Sequence, residues 1–219
     1  MYTVYNIVAG PLAWVAFILF FGGIFFRLVR LLVLARKTEK FIFTYMSLKY
    51  SLRSIVHWIV PFATTNWRER PVLTVVTFVF HLGLLIVPIF LLSHVVLWDE
   101  AWNLSWGTLP DSLADVLTLV IIACCIFFLV RRLVRPEVQF VTDASDYLLL
   151  AIVAAPFVTG FLAYHQWLGS DWMTIVHMLS GEIMLAAIPF TRLSHMISSV
   201  LTRAYMGSEF GKVRHARDW

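Results

Sequence analysis

Apolar residues along this chain fall into five long blocks separated by polar stretches. Ile7–Phe26, Val72–Trp98, Leu113–Val130, Tyr147–Trp167 and Trp172–Pro189 each approach the ~20 residues an α-helix needs to cross ~30 Å of hydrocarbon. The short alternating segments that build an outer-membrane barrel are missing. The pattern therefore predicts an all-α integral membrane bundle of about five transmembrane helices, over roughly 7–34, 72–98, 113–133, 146–168 and 172–202, forming one membrane domain across residues 1–219.

A different periodicity occupies Phe41–Pro61. Phe41, Tyr45, Leu48, Leu52, Ile55, Val56 and Ile59 step by three and four, while Ser47, Lys49, Ser51, Arg53 and Ser54 take the other side. This predicts an amphipathic helix, lying on the cytoplasmic membrane surface or offering a docking face to a cytoplasmic subunit.

Composition agrees: 60% of residues are hydrophobic and 14% charged, against about half and a quarter in soluble domains. Met1–Trp14 carries no Lys or Arg, so the first block lacks the positive region of a cleaved signal peptide and is expected to remain. Trp98, Trp102, Trp106, Trp167 and Trp172 gather at predicted helix ends, where an interfacial aromatic belt belongs.

Charge placement orients the bundle. Arg27, Arg30, Arg36, Lys37, Lys40, Lys49, Arg53, Arg68 and Arg70 lie between the first two spans, with Arg131, Arg132 and Arg135 between the third and fourth. Arg203, Lys212, Arg214 and Arg217 follow the fifth, whereas Asp99–Ser112 and Leu168–Asp171 hold acidic residues and no Lys or Arg. The positive-inside rule then places the N-terminus outside and the C-terminus in the cytoplasm.

Four of the seven histidines, His81, His94, His177 and His195, fall inside two predicted spans, and ionisable side chains at membrane depth are functional candidates. A helix rise of about 1.5 Å per residue sets His81 level with His195 on the inner half and His94 level with His177 near the outer end. Haem iron takes one axial nitrogen from each side, and two facing helices can supply that twice. His177 and His195 are about five turns apart and predicted to share a face, whereas His81 and His94 differ by ~220° on an ideal helix. Pro88 lies between them and can kink the helix enough to re-aim His94; if it does not, His165 is the substitute ligand. The absence of a Cys-x-x-Cys-His motif excludes a covalent c-type haem, and the adjacent Cys124 and Cys125 read as apolar filler.

Gly83 and Gly181 either let a flat macrocycle approach the backbone or serve helix packing. Arg192 and Arg27 are candidates for pairing with haem propionates, and Arg30 more simply snorkels to the interface. Glu182 is the one carboxylate deep in a span. With His165 it is the candidate for handling the proton of a quinone near the outer haem; hydrogen bonding of a neutral carboxyl to a neighbouring helix is the plainer role. Asp99, Glu100 and Asp171 read as solvated loop charges, an acidic face that would also suit a basic cytochrome c.

Phe80-His81-Leu82-Gly83, and His177 followed by Pro189-Phe190-Thr191-Arg192-Leu193-Ser194-His195, resemble the respiratory nitrate reductase gamma-subunit family of membrane cytochromes b. Arg135-Pro136-Glu137-Val138, Thr142 and Asp146 add to the likeness, which runs from about Val72 to Arg203. The resemblance implies a dihaem cytochrome b subunit of a respiratory complex in the bacterial cytoplasmic (inner) membrane, exchanging electrons with quinone, menaquinone being the one expected. It assigns His81 and His195 to an inner haem b facing a cytoplasmic iron–sulfur subunit, and His94 and His177 to an outer haem b near the quinone. This chain departs from that family in its longer His81–His94 gap, its Phe41–Pro61 segment and its lack of an outer-side Lys. The wider gap with its proline looks more like the membrane subunits of heterodisulfide-reductase-type and sulfate-reducer redox complexes, which work with cytoplasmic iron–sulfur subunits and periplasmic multihaem cytochromes c. No nucleic-acid partner is expected.

Two other classes use the same residues. A transporter or channel built on the intramembrane His and Glu182 would show inverted repeats or broken helices around a midplane site. A membrane metalloenzyme or assembly factor would cluster its ligands at one depth.

Overall fold

The computed structural model describes residues 2–218, apart from the side chains of Ser170 and Asp171, so the expectation for the Asp171 side chain lies outside the described residues. It is 84% helical, with no strand among the described residues. The helices are α1 (Tyr2–Thr38, with a π-helical turn at Val8–Leu12), α2 (Phe41–Tyr45), α3 (Leu48–Ile59), α4 (Thr65–Glu69), α5 (Pro71–Phe90) and α6 (Leu92–Trp102). They continue with α7 (Asp111–Val134), α8 (Pro136–Gln139), α9 (Ala144–Tyr164), α10 (Ser170–Phe190), a 3-10 turn at Arg192–Ser194, α11 (His195–Ser208) and a π-helical turn at Glu209–Val213.

Five of these, α1, α5, α7, α9 and the Trp172–Phe190 part of α10, are long and apolar enough to cross a membrane. Their surfaces are inside-out relative to a soluble bundle. Ile18, Phe25, Leu82, Val116, Leu148 and Ile183 are all exposed, as lipid-facing residues must be when every backbone group is satisfied within its own helix.

The chain forms two compact units, one of residues 1–8 and 75–181, the other of residues 9–74 and 182–219. In the first, Ala114, Thr118, Ile121 and Cys125 make a buried stripe along α7, with Cys124 buried beside it. A Cβ at Gly83 would fall 2.8 Å from the Ile121 side chain, so the missing side chain brings α5 against α7. Both cysteines are reduced and buried, as expected of apolar filler. α9 starts at a capping box, in which the Asp143 carboxylate accepts from Ser145 N at 2.8 Å and Asp146 accepts from Asp143 N at 3.0 Å.

In the second unit, α3 lies along α11 through small residues. Ser51 Oγ donates to the Ala204 carbonyl and meets Ser208 Oγ, both at 2.9 Å, and Ser47 N donates to Ser208 Oγ at 3.0 Å. A Cβ at Gly207 would sit 2.3 Å from Ser54 Cβ. The C-terminal segment is tied to the same pair: Arg203 meets the Asp218 carboxylate at 3.2 Å, and Ser54 Oγ bonds that carboxylate as well.

Two spans end earlier than expected, short of residues 98 and 202. The second stops at Phe90, because Leu91 is extended (φ −71°, ψ 129°) before α6 begins. The fifth stops at Phe190, because Thr191 is extended (φ −121°, ψ −173°). A proline lies one or two residues before each stop, and neither Pro88 nor Pro189 can donate a backbone hydrogen bond. The turn count from His177 to His195 therefore no longer applies, because the helix is interrupted between them.

Candidate functional site

The interruption after Phe90 decides where His94 goes. Ending a helix strands its last carbonyls, here those of Pro88, Ile89 and Phe90. Each finds a donor from outside the helix: His94 Nδ1 bonds Pro88 O at 2.8 Å, the Trp106 indole donates to Ile89 O at 2.8 Å, and Leu109 N donates to Phe90 O at 2.8 Å. The ideal-helix angle between His81 and His94 accordingly does not apply.

Within the first unit His94 faces His177. Their rings are parallel to within 4°, with centroids 6.0 Å apart. His177 Nδ1 lies 3.4 Å from Thr159 Oγ1, which itself donates to Ala155 O at 2.7 Å, and the ring also makes a backbone hydrogen bond with Pro156. Because those partners accept, Nδ1 of each histidine carries the proton and Nε2 keeps its lone pair, the arrangement in which a backbone carbonyl orients a metal-ligating imidazole. Gly160 makes room for the ring: a Cβ there would fall 2.8 Å from His177 Cε1.

The other ligand candidates are set up alike. His81, exposed on α5 of the first unit, bonds Thr77 O through Nδ1 at 2.7 Å. His195, exposed at the start of α11 in the second unit, bonds Arg192 O at 2.9 Å. His57, on α3, makes the same bond to Arg53 O at 2.8 Å, so this orientation is a helical habit and the facing of His94 and His177 is the distinguishing feature.

The remaining candidates fall as follows. Gly181 is open, with nothing within 4 Å of a Cβ placed on it, whereas Gly83 is packed on Ile121. Arg27 spends one guanidinium donor on Pro189 O at 3.0 Å, a carbonyl orphaned by the end of α10, and a Cβ placed on Gly23 would fall 2.7 Å from the Pro189 ring. Arg192 is exposed. Glu182 is 9% exposed, and neither carboxylate oxygen has a hydrogen-bond partner among the described residues.

His165, at the end of α9, is not beside the His94–His177 pair in any contact the structure records. Its Nε2 lies 3.2 Å from Asp115 Oδ2, an ion-pair approach without hydrogen-bond alignment. Phe161 and Trp167 pack around the ring at 4.4 and 5.8 Å between centroids. One turn along α7 from Asp115, Asp111 takes a hydrogen bond from Tyr164.

Sequence reasoning passed over Thr159, Gly160 and Asp115. The first two carry a faint signal, a polar residue and a glycine inside an otherwise apolar span.

A pair of parallel imidazoles fits axial ligation of a metal held between them. The 6.0 Å separation of the ring centroids is compatible in length with two metal–nitrogen bonds of about 2 Å to a shared metal. Among the described residues no three His, Cys, Asp or Glu side chains gather to hold a metal ion.

The helices and their apolar surfaces define a multi-pass, all-helical membrane protein. The chain belongs to the family of a protein from Nitratidesulfovibrio vulgaris (strain Hildenborough), to which it is 36% identical over 214 residues, covering 94% of this chain and 93% of that one. No family model matches the chain, and no solved structure does.

Proposed function

We propose that the chain is a dihaem cytochrome b subunit of a membrane-bound respiratory complex, passing electrons between quinone and partner subunits. The observation that carries this reading is the parallel His94–His177 pair, with both Nε2 lone pairs free and both rings fixed through Nδ1. His81 and His195, oriented through Nδ1 as well, are the ligands for the second haem. Bound haem supplies one-electron transfer; everything else is done by the chain's own residues.

Glu182 and His165 take the proton chemistry. A quinol hydroxyl gives up its proton as the ring is oxidised, and an acceptor must stand within hydrogen-bond reach. Glu182 is buried with both oxygens unpartnered, and leaving such a group without a ligand is costly. His165, with Asp115 beside it, supplies a second acceptor with a carboxylate behind it. Arg192 is exposed, as propionate pairing requires, while Arg27 keeps only part of its fork free.

The partners that suit this reading are menaquinone within the membrane, a cytoplasmic iron–sulfur subunit and a periplasmic multihaem cytochrome c. The basic loops favour a cytoplasmic C-terminus and an outside N-terminus in the bacterial inner membrane. The interrupted helices also suit a transporter. Here, however, each interruption follows a stretch of about 20 residues that already spans the bilayer, which puts it at a helix end and away from the midplane.

The test is a dithionite-reduced minus oxidised spectrum, with pyridine haemochrome quantification, on protein produced with ample haem. About two b-type haems per chain are expected. Haem-free protein would rule the reading out and favour a transporter.

A further inference from the structure

α3 is amphipathic in an unusual sense: its polar side is buried and its apolar side is bare. Leu48, Leu52, Val56 and Ile59 form one stripe at helical spacing and are 75%, 51%, 56% and 56% exposed. On the opposite side Ser51 and Ser54 are buried against α11. The contact is too close for rotation, because Gly207 lies against Ser54 and the Tyr50 carbonyl, and Gly211 against the Tyr50 ring. The serine face is therefore occupied, and the apolar stripe cannot turn inward to be covered.

We propose that α2 and α3 lie in the membrane–water interface, inserting this stripe into a leaflet that carries anionic lipid. Three features choose lipid as the occupant. First, only Glu39 and Lys40 separate α2 from the α1 span, and α5 begins at Pro71, so both ends of the segment are held at the membrane boundary. Second, the chain that leads into the stripe is bare and apolar as well, with Leu32, Val33 and Leu34 exposed at the end of α1 and Phe41 and Phe43 exposed on α2. Third, the segment is rimmed by exposed cations, Lys37, Lys40 and Lys49, with Lys212 reaching Thr44 O at 3.2 Å. Of the nearby carboxylates, Glu209 and Asp218 are paired with Arg214 and Arg203, leaving Glu39 against these lysines. Basic residues at the headgroup level of an apolar stripe are the pattern that holds amphipathic helices on anionic membranes.

This inference stands whether or not the chain binds haem. Its test uses full-length protein in nanodiscs of phosphatidylcholine with phosphatidylglycerol, spin-labelled at Leu52→Cys, Val56→Cys or Lys49→Cys. These sites are on the surface, so folding is preserved, and the native cysteines are buried. Labels at 52 and 56 should be relaxed by oxygen and shielded from a water-soluble nickel chelate, with the reverse at 49. Nickel access at 52 and 56 would overturn the proposal, and low access to both reagents there would overturn it in favour of a second protein copy on the stripe. For the anionic half, polymer-extracted native particles of the wild type should hold about twice the phosphatidylglycerol of a Lys37→Gln, Lys40→Gln, Lys49→Gln variant; equal content would remove anionic selection.

Discussion

The imidazoles of His94 and His177 face each other at 6.0 Å, parallel to within 4°, across α6 and α10 of one compact unit. Each is held from behind through Nδ1, by Pro88 O for one and Thr159 Oγ1 for the other. Two rings so fixed form a parallel pair, and the proposed cofactor chemistry depends on that pairing.

Replacing either ring should therefore empty one site and spare the other. His94→Ala and His177→Ala are each expected to fall from about two haems per chain to about one, with His81→Ala and His195→Ala losing the other. Pyridine haemochrome quantification reads the result, and unchanged content in all four variants would contradict the assignment.

Gly160 and Gly181 should respond oppositely to the same added methyl. Gly160→Ala would place Cβ 2.8 Å from His177 Cε1, forcing the ring to move at a cost of about 1–3 kcal/mol and disturbing the redox potential or content of that haem. Gly181→Ala meets open space and should leave both unchanged. A potentiometric titration followed in the α-band separates the two.

Removing the acidic proton acceptors should slow turnover without removing haem. Glu182→Gln is expected to reduce quinol-driven haem reduction by about 100-fold or more, with the dithionite-reduced spectrum intact. Asp115→Asn, acting through His165, should slow it by about tenfold. Stopped-flow reduction by a menaquinol analogue measures both, and wild-type rates in Glu182→Gln would remove that residue from the mechanism.

The serine–glycine seam between α3 and α11 should be intolerant of bulk. Gly207→Leu would drive a side chain into Ser54 and the Tyr50 carbonyl, 2.3 and 2.6 Å from the new Cβ, and should destabilise the protein by about 2–3 kcal/mol. Leu52→Ala, on the bare side, should leave the melting temperature in detergent nearly unchanged. Thermal unfolding followed by thiol exposure at Cys124 and Cys125 would report both.

Arg27→Ala should cost about 1–3 kcal/mol by leaving the Pro189 carbonyl without its donor, with local opening visible as faster amide exchange in Arg192–Ser194. An unaltered exchange pattern would show that water replaces the guanidinium.

The spans were legible because hydrocarbon imposes a length and a composition that no other environment demands: α7 begins and ends, and α9 begins, within about two residues of where the pattern puts them, while α9 stops at Tyr164, short of residue 168. The ends of α5 and α10 were not legible. Pro88 and Pro189 announce weak points, but the chain leaves the helix only where outside donors wait: the Trp106 indole and Leu109 amide in one case, Arg27 in the other. Such donors come from tertiary contacts that no local periodicity records. The facing of His94 and His177 was expected from depth alone, and depth survives a local break where helical phase does not. The phase argument for His177 and His195 no longer applies for that reason. The Phe41–Pro61 segment is two-faced as expected but is broken at Met46 and Ser47 into α2 and α3, and which face lies bare depends on whether Ser51 and Ser54 can meet partners as small as themselves, some 150 residues further along the chain.

The stitched end of α5 also makes loop length a design variable. Residues 103–110 supply the Trp106 and Leu109 donors while Asn103 turns the chain in a left-handed conformation (φ 53°). The same carbonyl run positions His94, so the loop works as a gauge that sets how high that imidazole stands. One residue added between Trp106 and Leu109 would lift the clasp off Phe90 and move the ring with it. Relatives that bind the same group should therefore vary in the tip of this loop and hold constant the distance between its two stitches.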